Sequence, residues 1–159
     1  MLKPLLSVMG LGAVVGAMWP SGHPTPPPRV AAAAGTSAVA KETLLKRQDD
    51  GHFYADVEVN GQLVHFLIDT GATSVALTEE DARRVGLDFS SSEFREVGLG
   101  AGGPIRGKMV LIDRVSLDGK EARDVHGAIL QGSTMSLLGQ AYLSRLGSVE
   151  MSGDYMRLS

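Results

Sequence analysis

The chain has 159 residues, with 15 basic and 18 acidic side chains, seven prolines, 20 glycines and no cysteine. That length holds one ordinary domain of roughly 100–150 residues, and the missing thiols exclude disulfide scaffolds, thiolate metal sites and thiol nucleophiles. A formal charge of −3 argues against a protein built to neutralise phosphates, so no nucleic-acid partner is expected. Six of the seven prolines lie in residues 1–28, the other being Pro104; residues 1–50 carry a net +2 and residues 51–159 a net −5. The chain therefore divides into two unlike pieces, and the folded one is about 109 residues long.

Residues 1–19 place Lys3 ahead of an uncharged run from Leu5 to Trp19, the order found in a signal peptide or an uncleaved N-terminal anchor. The sixteen residues from Pro4 to Trp19 would span ~24 Å as a helix, short of a ~30 Å hydrocarbon core. Val15-Gly16-Ala17 and the alanines at 31–34 are both candidate cleavage sites, so anchor and cleaved signal stay open. Either way Lys3 keeps the N-terminus cytoplasmic and sends the rest outward. The expected location is the inner membrane with a periplasmic domain, or secretion if the signal is removed. Residues 20–50 form a Pro/Ala-rich linker that cannot build a core. Its charged end, Lys41–Asp50, is expected as a short helix.

Residues 51–159 read as mainly β. Phe53, Ala55, Val57 and Val59 alternate onto one face, Asn60-Gly61 is a hairpin turn, and Leu63–Ile68 returns as the second strand. Thr78-Glu-Glu-Asp81 caps a short helix, with Leu77, Ala82 and Val85 as its apolar positions and Gly86 as its stop. The second half repeats this plan. Val115–Gly119 aligns with Val57–Gly61 at an offset of 58, and Leu138–Gly147 with Leu77–Gly86 at an offset of 61. The expected fold is a single mainly-β lobe with an internal pseudo-two-fold repeat and two short helices. Between the halves, Phe94–Leu99 and Lys108–Leu117 read as strands around a Gly-rich stretch, Gly98–Gly107.

Three apolar residues, Phe66-Leu67-Ile68, run into Asp69-Thr70-Gly71-Ala72, which puts a carboxylate where a buried strand must turn. A capped turn accounts for this too, with Asp bonding its own backbone and Gly at positive φ. The neighbouring motifs add weight. Residues 50–159 resemble the retropepsin-like (clan AA) aspartic proteases, in particular the bacterial single-domain, membrane-anchored kind. Phe66–Ala72 resembles their catalytic loop. Gly98–Gly107, with Gly100, Ala101, Gly102, Gly103, Pro104 and Ile105 at its centre, falls where their flap lies. Ser136-Leu137-Leu138-Gly139 is similar to the motif opening their C-terminal helix.

The resemblance implies an aspartic endopeptidase acting on peptide or protein substrates without a cofactor or metal. Its mechanism needs two carboxylates sharing one proton and a water, since like charges about 3 Å apart cannot both ionise. This chain has one Asp-Thr-Gly; Asp113, Asp118, Asp124 and Asp154 lack the following Thr/Ser-Gly, and the matching part of the repeat ends in Leu138-Gly139. The second carboxylate must be Asp69 of another copy, so a homodimer is expected. The resemblance further implies that Thr70 bonds across the dimer axis, that Gly71 lets backbone approach substrate, and that residues 100–105 close over it. Retroviral members carry an acid after the loop and Gly-Arg at the helix, where this chain has Ala72-Thr73-Ser74 and Gly139-Gln140. Both halves of that ion pair are missing together, so another contact must brace the site. A non-catalytic peptide-binding module of the same fold is the alternative.

Other motifs carry less. Gly98–Gly103 satisfies G-x-G-x-x-G, yet a strand rather than a helix follows, so pyrophosphate would find no helix N-terminus. The four histidines lack metal-ligand spacing, and no Gly-x-Ser-x-Gly occurs. His65 reads as a structural side chain, Met109 and Val110 as core, and Glu79-Glu80-Asp81 as helix N-terminal charge.

Overall fold

The computed structural model describes residues 40–100 and 102–159; the expected membrane segment, most of the linker and Ala101 lie outside the described residues. Among those described, no helix is long and apolar enough to cross a membrane. The first half comprises β1 (Thr43–Lys46), β2 (Tyr54–Val59), β3 (Gln62–Ile68), β4 (Val75–Thr78) and helix α1 (Glu79–Arg84). A capped 3-10 turn at Ser91–Glu93 leads to β5 (Arg95–Gly100) and β6 (Gly103–Leu117). Then follow β7 (Lys120–Leu130), β8 (Ser136–Leu138), helix α2 (Gln140–Leu143), β9 (Val149–Ser152) and β10 (Tyr155–Leu158). The described chain is mainly β with two short helices.

Seven strands run in the order β2-β3-β8-β4-β7-β6-β5, and β2 also pairs with β6, which closes the sheet on itself. The remaining strands form a three-stranded sheet, β1-β10-β9. The β2–β3 and β6–β7 hairpins turn where two successive residues accept positive φ: Asn60 (49°) with Gly61 (86°), and Asp118 (50°) with Gly119 (81°). That is the type I′ requirement, and its twist matches that of the flanking strands.

The expected repeat is present, and strand register sharpens it. Phe66–Ile68 pair in parallel with Ser136–Leu138, and Val75–Leu77 with Gly127–Ile129. An offset of 61 turns one set into the other, so each half lends a strand to its counterpart. By this register Asp69-Thr70-Gly71 corresponds to Leu130-Gln131-Gly132, not to the Leu138-Gly139 end assigned from the sequence. The hairpins pair at an offset of 58, Val57 with Val64 and Val115 with Ala122. The three extra residues are absorbed within β7 ahead of Gly127, where Asp124 takes a positive φ of 50°.

The core is one contiguous cluster inside the closed sheet. Phe53, just ahead of β2, and Ala55, Val57 and Val59 contribute the expected face, clustered with Phe66, Leu77, Ile112, Leu138 and Tyr142. Burying side chains of this size stabilises by about 1.5–3 kcal/mol each. Met156 and Leu158 of β10 join the same cluster.

Two expectations are corrected here. Lys41–Asp50 holds the strand β1, not a helix, so the linker drawn to residue 50 reaches into the sheet. Those ten residues carry no apolar helical stripe, and so short a helix is marginal alone. Pairing with β10, from Thr43 with Leu158 to Lys46 with Tyr155, satisfies the backbone instead. Met109 is 54 % exposed on the outer face of β6 and is not core.

Candidate active site

Asp69 sits where β3 leaves the closed sheet. Its amide donates to the Leu138 carbonyl of β8 at 3.1 Å, so the residue is held by the strand preceding α2. Its Oδ1 accepts from the Gly71 and Ala72 amides at 2.9 and 3.2 Å. Among the described residues Oδ2 has no hydrogen-bond partner. One carboxylate oxygen thus orders the loop while the other stays available.

The turn expected from the bare tripeptide is therefore present, with one difference. Gly71 does not take a positive φ. A Cβ there would lie 3.3 Å from Asp69 Oδ1, so glycine serves close approach to the carboxylate. Thr70 is exposed beside it and Ala72 half-buried.

The loop is braced from α2. The Gln140 and Ala141 amides donate to the Ala72 and Thr73 carbonyls, each at 2.8 Å. Gln140 Nε2 donates to the Thr70 carbonyl, also at 2.8 Å. A carbonyl only accepts, so the amide nitrogen is the group that must face it. This is the bracing contact that the missing ion pair called for; it uses neutral donors on backbone oxygens. Gly139, the N-cap of α2, lies against the same loop. A Cβ on it would stand 2.3 Å from the Ser74 oxygen and 2.6 Å from the Ala72 oxygen. Leu138 is fully buried and Leu137 half-buried, as β8 requires between β3 and β4.

α2 is fixed from behind by Tyr142. Its buried hydroxyl donates to the Lys120 carbonyl at 2.6 Å and accepts from the Leu117 amide at 3.2 Å. Burial pushes the phenol pKa up to about 12, the Leu117 amide pulling the other way and the Asp118 charge adding to the rise. Lys120 itself, the first residue of β7, is buried. It donates to the Lys41 carbonyl and to Thr43 Oγ1, which in turn bonds Asp118 Oδ2 at 2.5 Å. Burial lowers its pKa, against the Asp118 and Glu42 charges.

The Gly-rich stretch is a hairpin. Gly100 pairs with Gly103, Leu99 with Pro104 and Gly98 with Ile105, with a register shift between Glu96 and Gly98. Gly98–Gly103 therefore spans two strands and their turn, and β6 rather than a helix follows. Gly103 takes a φ of 112°, and Gly100 packs within 3.0 Å of Ile105 Cδ1, measured from its Cβ position. Gly102 and Pro104 are exposed, Ile105 half-buried, and Leu99 is 78 % exposed. The Gln131 amide donates to the Arg106 carbonyl at 2.9 Å, tying the hairpin to the loop equivalent to that of Asp69. Gln131 and Arg106 border a surface hollow of about 510 Å³ with Gly100 and Gly102–Ile105. Among the described residues, no three His, Asp or Glu side chains converge as a metal site. His65 bonds Asp56 at 2.7 Å across the first hairpin and stacks on Tyr54. The first turn of α1 carries Glu79, Glu80 and Asp81, capped by Thr78 Oγ1 on the Asp81 amide.

Sequence reasoning missed Gln140 as a brace, Tyr142 and Lys120 as anchors, and the hairpin of β9 and β10. Only the paired absence of the two charges pointed toward the first.

Comparison with known proteins agrees with this geometry. Residues 55–145 match the family described as "gag-polyprotein putative aspartyl protease". A retropepsin-like aspartic protease from Rickettsia conorii superposes with a TM-score of 0.65 at 31% identity, covering 74% of this chain and 89% of that one. An uncharacterised protein of Rickettsia prowazekii (strain Madrid E) is 32% identical over 119 residues, and one from the cobV 5′ region of a Sinorhizobium species 32% identical over 120. These matches cover 74% of this chain and 51% and 52% of those proteins, so the chain spans about half the length of the curated relatives it matches. With the closed sheet, the two short helices and the Asp-Thr-Gly loop in place, the chain belongs to the retropepsin-like aspartic protease family.

Proposed function

We propose that the protein is an aspartic endopeptidase whose active site forms between two copies, each supplying Asp69. The observation that carries this reading is the Asp69 carboxylate, with Oδ1 held by two loop amides and Oδ2 without a partner among the described residues. Two such carboxylates across a two-fold axis share one proton and hold a water. The ionised one takes a proton from that water as its oxygen attacks the scissile carbonyl carbon. The other gives its proton to the carbonyl oxygen, yielding a gem-diol. As the gem-diol collapses, the carboxyl that took the water's proton passes it to the amide nitrogen and the C–N bond breaks. The other carboxylate takes a gem-diol hydroxyl proton, so the pair again holds one proton in its starting arrangement. Thr70, exposed next to Asp69, is the residue to bond across the axis. The hairpin from Gly100 to Ile105 is the part to close over an extended peptide and exclude water.

Residues 1–19 are proposed to hold the protein in the inner membrane, or to direct its export, with the Pro/Ala-rich stretch as tether to a periplasmic protease domain. The test is cleavage of a library of extended peptides with apolar residues near the scissile bond. Asp69→Asn keeps an oxygen for the loop amides but removes the charge, so turnover should fall roughly 10³-fold or more. Undiminished turnover in that variant would falsify the mechanism. Activity should be greatest at mildly acidic pH, because two carboxylates this close share one proton.

A further inference from the structure

We propose that Gln140 is the positioning residue for Asp69, acting through the single peptide plane between Thr70 and Gly71; the inference rests on the protease reading given above. The carbonyl of that plane, on Thr70, accepts from Gln140 Nε2 at 2.8 Å. The N–H of the same plane, on Gly71, donates to Asp69 Oδ1 at 2.9 Å. A peptide unit is planar and trans, so its C=O and N–H point in opposite directions and cannot turn independently. Gripping the oxygen sets the direction of the N–H, and the N–H sets the carboxylate. Gln140 is thus one rigid unit away from the reacting group without touching it.

Two features make the coupling tight. Gln140 holds the loop twice, since its own amide also donates to the Ala72 carbonyl at 2.8 Å. The span between its two grips contains the Gly71 and Ala72 amides, the two donors to Asp69 Oδ1. The glutamine is also fixed at its root: Gly139 is pressed against the Ala72 and Ser74 carbonyls, and the Tyr142 hydroxyl pins α2 from behind. The contact joins residues 70 positions apart, so the helix following β8 holds the plane of a loop in the other half. Thr70 and Gly71 are both exposed, so their shared peptide plane can be gripped from outside. A side-chain amide in place of a guanidinium has a further consequence. A glutamine stays neutral at all working pH values, so it orders the loop without adding charge beside a carboxylate pair that must hold one proton.

The prediction separates a positioning role from a merely structural one by pH. Full-length protein would be compared as wild type, Gln140→Met and Gln140→Glu, with kcat and KM measured on one peptide from pH 3.5 to 7.5. Methionine keeps the volume and removes the donor; kcat should fall about fivefold, the worth of one neutral hydrogen bond, with KM little changed and the deficit constant across pH. Glutamate at pH 7 faces the Thr70 carbonyl with a carboxylate and turns the plane away, so kcat should fall further. Protonated, it regains an O–H donor, and its kcat relative to wild type should recover as pH falls through the carboxylic range.

Amide resonances of Gly71 and Ala72 in ¹⁵N-labelled protein, and their hydrogen exchange, give a readout independent of turnover. Both should move in Gln140→Met while core amides such as Val57 stay put. Wild-type kcat with unmoved Gly71 and Ala72 amides in Gln140→Met overturns the inference, as does a Gln140→Glu deficit that ignores pH. Should wild type itself fail to cleave peptides, the protease reading falls and the amide shifts alone decide: moved, the relay stands; unmoved, it goes.

Discussion

A methyl group at Gly139 would stand 2.3 Å from the Ser74 carbonyl oxygen, closer than any real Cβ contact. The φ of Gly139 is −100°, open to every residue, so the constraint is space and not backbone strain. Gly139→Ala must therefore push the loop of Ala72–Ser74 off α2 or unseat the helix. Overpacking of this kind costs about 1–3 kcal/mol. Urea unfolding should show the midpoint fall without a change in slope, and turnover should drop with it because the displaced stretch includes Ala72, whose amide is one of the two donors to Asp69 Oδ1. Gly71 is a milder case of the same logic, with the Asp69 carboxylate as neighbour at 3.3 Å. Asp69, Thr70 and Gly71 were legible from sequence because the signal is local: three apolar residues, then a turn tripeptide. Gln140 was not, because its partner is a backbone oxygen 70 residues away, and carbonyls leave no mark in a sequence.

At the scale of elements, α2 is held on the side away from the Asp69 loop by one buried phenol. Replacing Tyr142 by Phe leaves the Lys120 carbonyl and the Leu117 amide short of a partner and should cost about 1–3 kcal/mol. A pH signature accompanies it. The folded phenol titrates at about 12, above an unfolded value near 10. Between those two pH values the unfolded chain has lost a proton that the folded one keeps, so stability falls as pH rises through the window. The fall should reach on the order of 2–3 kcal/mol by pH 12, and Tyr142→Phe should lack that component in alkaline denaturant titrations. The type I′ turns at Asn60-Gly61 and Asp118-Gly119 and helix α1 were legible because each is written in consecutive residues. β1 was not: its pairing is with β10, more than a hundred residues on, and the charged residues around Thr43–Lys46 carry no strand alternation of their own. Met109 shows the limit of apolarity as a guide. On β6, Val110 and Ile112 turn to the core, whereas Met109 and Leu111 alternate with them onto the exposed face.

For the whole molecule, the proposed pairing of two copies brings together like charges. Residues 51–159 carry a formal −5, so two such domains repel until salt screens them. Sedimentation at fixed protein concentration should show the dimer fraction rising from about 0.02 M to 0.5 M salt. Peptide turnover on the same samples should follow the dimer, not total protein; an active monomer would sink the shared-site proposal. The exchange of strands between halves bears also on how the protein comes to be made. The Asp69 amide is secured by the Leu138 carbonyl, and β3 gains its second neighbour only from β8. A chain emerging from its N-terminus can close the first hairpin early, within microseconds. It cannot seat the Asp69 turn until some seventy further residues have followed. Non-local pairing of this kind folds slowly, so the nascent chain remains without a formed Asp69 loop for most of its synthesis.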